Sequence, residues 1–211
     1  LSISKRLSET PPGIIYAKNK VDELIMEERI WIARYEYEAN RNVKTAKRYL
    51  MDCLASDGNK YNAFVNLSVI SFAEDKDPIA SLRYLSNAKK HSQGDYTWLY
   101  NKAFILMYLE KYENGVKDYK RLAGLSFPGE DQTTDQCIEF NHSLLKAEPD
   151  KIQSLFILGF LYYKKKINHP MAMDKLETFI DLAKNKPKYK YLNEVASSYL
   201  SEIKKEMKIK E

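Results

Sequence analysis

The sequence predicts an all-α solenoid built from helical hairpins, and three observations lead there. Glycine and proline are scarce, seven of each in 211 residues, while hydrophobic residues make up 44%, a balance that suits helices with one buried stripe rather than strands or disorder. The stretch 96–123 then reads as two amphipathic runs, 96–109 and 113–123, joined by Glu110-Lys111-Tyr112, with small residues at Ala103 and Gly115 where two helices can cross closely. Finally, the pattern recurs on both sides. One hairpin cannot bury its own apolar face, so it needs stacked copies.

The recurrence sets a register. With Ala103 and Gly115 as a ruler twelve residues long, the preceding unit places Ser68 and Ala80 there, and Phe64, Leu67 and Tyr84 at large positions. The unit before it has Ala46 as its second small residue; Ala46 to Ala80 is 34 residues and Ala80 to Gly115 is 35. A later unit carries Leu155, Leu158, Gly159 and Tyr162, then Ala172, Leu176 and Phe179, with one extra residue in the turn. This period and these residues resemble the tetratricopeptide repeat (TPR) family. The resemblance implies a right-handed α-solenoid of TPR-like hairpins that works by binding other proteins.

Taken in order, residues 1–13 hold Pro11-Pro12-Gly13 and read as a mobile leader. An unbroken helix is expected over 14–40, its half at 14–26 capping the array and its remainder opening repeat 1 (27–60), whose second helix turns Ala46, Leu50 and Cys53 inward before Gly58 stops it. Repeat 2 (61–94) restarts its second helix at Asp77-Pro78, an N-cap carboxylate followed by proline where no N–H is needed. Repeat 3 covers 95–129. Residues 130–151 hold one helix with no partner and read as a degenerate repeat; repeat 4 (152–186) begins its second helix at Pro170, and 187–211 form a C-terminal capping helix with a polar outer side.

The sequence offers no catalytic constellation, so a non-enzymatic protein is expected, without metal or cofactor. His91, His142 and His169 stand on different units, read as surface or turn histidines, and there is no phosphate loop or nucleophile elbow. Cys53 and Cys137 fall at apolar helical positions and read as buried free thiols. The net charge of +5, from 34 Lys and Arg against 29 Asp and Glu, is too mild and too interspersed to require nucleic acid. No run is long and apolar enough to span a membrane. A chain that starts at Leu1 reads as a piece of something longer, and its Lys-, Asn-, Ile- and Tyr-rich vocabulary suggests a bacterial scaffold of an envelope or motility assembly, periplasmic or cytoplasmic.

The resemblance also implies where a partner sits: in a concave groove lined by the first helix of each repeat. Carried over by register, the lining residues are Trp31, Tyr35, Val65, Val69, Phe72, Tyr100, Phe104, Met107, Tyr108, Phe156, Phe160 and Tyr163. This aromatic and aliphatic stripe calls for an apolar or amphipathic helix or peptide. The clamp with which some relatives grip acidic chaperone tails is absent: Asn66 and Asn101 keep its asparagine position, but its basic positions hold Val65, Val69, Tyr100 and Phe104. Three alternatives stand beside this reading. A terminal helix could fold into the groove and make the stripe core; Lys164 to Lys166 and Lys184, Lys186, Lys188 and Lys190, with Tyr189 and Tyr191, could bind RNA or an anionic surface; or the chain could be a regulatory domain of a larger enzyme.

Overall fold

The protein is all-α. A computed structural model describes residues 12–56 and 60–208, with the side chains of the first helix from residue 22 onward; the expected stop at Gly58 and nearly all of the expected leader lie outside these residues. The chain divides into two compact units, Leu1–Gln93 and Gly94–Glu211.

The first unit contains α1 (Pro12–Glu38), α2 (Val43–Leu54), α3 (Tyr61–Ala73) and α4 (Pro78–Ala88), the last running into a 3-10 turn at Lys89–His91. Its core gathers Met26 and Ala33 of α1, Ala46, Leu50 and Cys53 of α2, and Ala63, Leu67 and Ile70 of α3. The first hairpin is tied at the surface to the turn after α3, Lys47 of α2 reaching Asp75 at 2.5 Å and the Tyr37 hydroxyl of α1 donating to Glu74 at 2.9 Å. Burial, ahead of that carboxylate, pushes the Tyr37 phenol up to about 12.

The second unit contains α5 (Thr97–Tyr108), α6 (Tyr112–Ala123), α7 (Glu130–Ala147), α8 (Gln153–Lys164) and α9 (His169–Ala183), then a 3-10 turn at Pro187–Tyr189 and α10 (Lys190–Lys208). Helices α5–α6 and α8–α9 are hairpins, and α7 lies between them. It runs parallel to α5, since Thr133 meets Thr97 (3.2 Å), Thr134 meets Tyr100 (3.1 Å) and Phe140 meets Phe104 (ring centroids 4.9 Å apart). It runs antiparallel to α8, since Glu130 and Asp135 pair with Lys165 and Lys166 at 2.5 and 2.8 Å while His142 faces Tyr162 at 3.3 Å. The C-terminal segment returns to both hairpins. Lys188 pairs with Glu110 (2.5 Å), the Tyr189 ring packs on Tyr112, and Tyr199 of α10 packs on Phe156, Phe160 and Tyr163.

All four hairpins close by one device. A non-glycine residue takes a left-handed conformation, Arg41 (φ 54°), Lys76 (54°), Glu110 (60°) and Ile167 (50°), and the next residue caps the second helix. In three of them that residue is Asn42, Asp77 or Asn168, whose side chain accepts a backbone N–H of the first helical turn. The same residue donates its own N–H to the carbonyl six residues back, on Glu36, Ser71 and Tyr162 (2.8, 2.9 and 2.8 Å). In the α5–α6 turn Lys111 donates only five residues back, to Leu106 at 2.9 Å, and has no side-chain cap.

That shorter turn corrects the register. The small residues that meet across the hairpins are Ala33 with Ala46, Ser68 with Ser81, Ala103 with Gly115, and Gly159 with Ala172. Three pairs are thirteen residues apart and only Ala103–Gly115 is twelve apart, so the middle hairpin was the wrong ruler. Ser81, fully buried with its hydroxyl donating to the Ser68 carbonyl at 2.8 Å, takes the place expected of Ala80, and Leu85 that of Tyr84. Close approach requires glycine at two of these points. A Cβ on Gly159 would stand 2.5 Å from Leu176 Cγ, and one on Gly115 would stand 2.7 Å from Met107 Sδ.

Candidate binding surface

Side-chain burial divides the twelve expected groove residues by unit. In the first unit they stay at the surface: Trp31 is 66% exposed, Tyr35 51% and Val69 41%, while Val65 and Phe72 are half-buried. Trp31 and Tyr35, one turn apart on α1, stack with ring centroids 5.8 Å apart and planes 9° from parallel. With Ala33 as the small residue of α1, both fall one residue past the groove positions, on the side opposite the buried Met26 and Ala33. Leu24 joins them there, 53% exposed and two turns before Trp31. From the sequence Leu24 reads as part of one apolar stripe with Ile30 and Ala33; the structure leaves it on the opposite side from Ala33, exposed, because hydrophobicity alone does not tell which face of a helix is covered.

In the second unit the stripe is packed inside. Tyr100, Phe104, Met107, Phe156, Phe160 and Tyr163 are buried, and Tyr108 is half-buried beneath the Lys151 ammonium, 4.2 Å from its ring. Helix α7 covers the Tyr100–Phe104 side of α5, and α10 covers Phe156, Phe160 and Tyr163 of α8. Burial raises the Tyr100 and Tyr163 phenols well above their ordinary value. For Tyr163 the hydrogen bonds to Glu206 (2.7 Å) and Glu202 (3.1 Å) act in the same direction.

The lysines of the nucleic-acid alternative are largely engaged within the unit. Lys164 pairs with Glu202 (3.2 Å), Lys165 with Glu130, Lys166 with Asp135 and Lys188 with Glu110. Lys165 is 7% exposed and also donates to the Leu125 carbonyl at 2.9 Å, so it is a strut between α7 and α8. His169, expected at the surface or in a turn, directly follows the α8–α9 turn as the first residue of α9 and is buried, with Nε2 3.1 Å from Glu206. Of the two free thiols, Cys53 is buried against the Met26 carbonyl and Cys137 is half-buried; burial raises both above their ordinary value, leaving little thiolate. Among the described residues no group of three His, Cys, Asp or Glu could hold a metal ion, and no helix is long and apolar enough to cross a membrane.

No family model matches the sequence, and neither does any curated protein. Among solved structures, the chain is similar to a tetratricopeptide repeat protein from Parabacteroides merdae, at 17% identity and a TM-score of 0.42. The match takes in 87% of this chain and 61% of that one, so this chain spans less than two thirds of the other's length.

Proposed function

We propose that the protein is a non-enzymatic protein–protein interaction module or scaffold, and that its first unit takes an apolar or amphipathic segment of a partner. The observation that carries this reading is the stacked Trp31–Tyr35 pair, exposed in a chain that puts its other groove aromatics inside or half-inside. Large rigid aromatics concentrate binding energy when a partner removes them from water. Among the described residues, seven of the eleven exposed large hydrophobic side chains lie in the first unit: Leu24, Ile25, Trp31, Tyr35, Met51, Val69 and Ile79. The engaged lysines of the second unit weigh against the nucleic-acid reading.

The test is crosslinking capture from the native cell, with the parent beside a Trp31→Ser, Tyr35→Ser, Val69→Asp triple variant that keeps its helical circular dichroism. The expected result is a partner held by the parent and lost by the variant. A partner set identical for both proteins overturns the reading.

A further inference from the structure

The line Leu24, Trp31, Tyr35 runs along α1 at intervals of seven and four residues, one continuous stripe of a helix. Its meaning comes from the neighbouring hairpin. Counting from the small residues Ala33 and Ser68, the places of Glu28, Trp31 and Tyr35 on α1 are those of Ala63, Asn66 and Ile70 on α3. There, Ala63 and Ile70 are buried in one core cluster with Ala46, Leu50 and Cys53 of α2, the helix that precedes α3, while Asn66, at the place of Trp31, is half-buried and donates to the Asn62 carbonyl of its own helix. At the matching places of α8 stand Ser154, Ile157 and Leu161, all fully buried. On α1 the same face is open, and it carries a tryptophan and a tyrosine beside Glu28.

We infer that this face of α1 is a docking site for a basic amphipathic helix of another protein, packed as α2 packs on α3; the inference rests on the interaction-module reading and names the partner's chemistry. Charge selects that partner. Glu27 and Glu28 flank the stripe and are exposed, and the Glu38 carboxylate at its far end meets Arg34 at 3.6 Å. The helix that covers the matching face of α3 is itself basic, with Lys44, Lys47 and Arg48 against Asp52 alone. Charge also disfavours a second copy. Two α1 helices set antiparallel on this face would bring Glu27 and Glu28 near their own equivalents. The exposed lysine-rich side of α10 offers Ser197, Ser201, Lys204, Lys205 and Lys208, which has the right charge but no apolar stripe to match Trp31.

The probe is a peptide of the chain's own α2, residues 42–55 with Cys53→Ser, extended by an Ala-Ala-Ala-Lys turn and blocked at both ends. It contains no tryptophan. Emission from Trp31 is isolated by subtracting the spectrum of a Trp31→Phe protein, which removes the contribution of the buried Trp98. The expected result is a saturable shift of Trp31 emission to shorter wavelength. A peptide with Lys44, Lys47 and Arg48 changed to Glu should bind about tenfold more weakly, and a Glu27→Lys, Glu28→Lys protein should reverse that preference. No saturable shift, or equal binding of the two peptides, overturns the inference. So does short-wavelength emission from the free chain at every dilution, which would mean its own residues cover the face, or a shift with protein concentration alone, which would mean a second copy does. If the peptide fails while the triple variant still loses its native partner, the module reading stands and only the docked helix falls.

Discussion

The two units use the same helical vocabulary to opposite ends. In each, the first helices carry large apolar side chains beyond the small-residue contact within their own hairpin. In the second unit these find covers within the chain: Phe140 and Thr134 on α7 over Phe104 and Tyr100, and Tyr199 on α10 over Phe156, Phe160 and Tyr163. In the first unit Trp31, Tyr35 and Val69 find none among the described residues. The difference teaches that an aromatic stripe on a repeat helix is not itself a binding site. It becomes core or surface according to whether the chain supplies one more helix.

The largest effect should come from breaking the covered side. Tyr100→Ala or Phe104→Ala removes a ring packed under α7 and should destabilise the second unit by about 3–5 kcal/mol, whereas Trp31→Ala or Tyr35→Ala on the open side should change stability by less than about 0.5 kcal/mol. Urea unfolding followed by circular dichroism compares them, and equal effects would dissolve the contrast. Next comes the close approach inside the second unit. Gly159→Ala pushes a methyl into the branched Leu176 side chain and should cost about 2–3 kcal/mol, more than Gly115→Ala, which meets the flexible Met107 instead. The reverse order in thermal melts would mean that α8 and α9 can separate more easily than their geometry suggests.

Smaller effects sharpen the comparison at the turns. Asp77→Ala in the first unit removes an acceptor for the Ile79 and Ala80 N–H groups and should cost about 1 kcal/mol, visible as a lower melting temperature and faster amide exchange at the start of α4. The smallest effect has the opposite sign. Ile167 is a β-branched residue held at φ 50° and 70% exposed, so Ile167→Gly loses little packing and relieves a left-handed backbone. It should stabilise the second unit by about 0.5–1 kcal/mol, even after glycine's entropy cost. A fall in melting temperature would show that the packing of the Ile167 side chain outweighs the strain of its left-handed backbone.

Much of the hairpin architecture was legible residue by residue. The Asp77-Pro78 start, the turn at Glu110 and Lys111, and the inward Ala46, Leu50 and Cys53 all follow from local chemistry that does not depend on the rest of the fold. The register slips because the α5–α6 turn is one residue shorter than the other three. Lys76 carries no sign in its side chain that it adopts left-handed geometry, so the sequence does not show the extra turn residue before Asp77, and Ala80 stands in for Ser81 in its register. The role of α7 was hidden for a related reason. Thr133, Thr134 and Asn141 are polar and give no apolar signal, yet all three are buried, Thr133 and Thr134 by hydroxyl contacts with Thr97 and Tyr100. Asn141 donates back to the Cys137 carbonyl of its own helix.

The sequence by itself determined an all-α chain and its hairpins, because caps and helical periodicity act over a few residues. Only the tertiary structure decided which apolar faces are core and which remain open. An apolar stripe has the same pattern whether a helix of the same chain or of another covers it, and burial is settled by elements that stand tens of residues away in sequence.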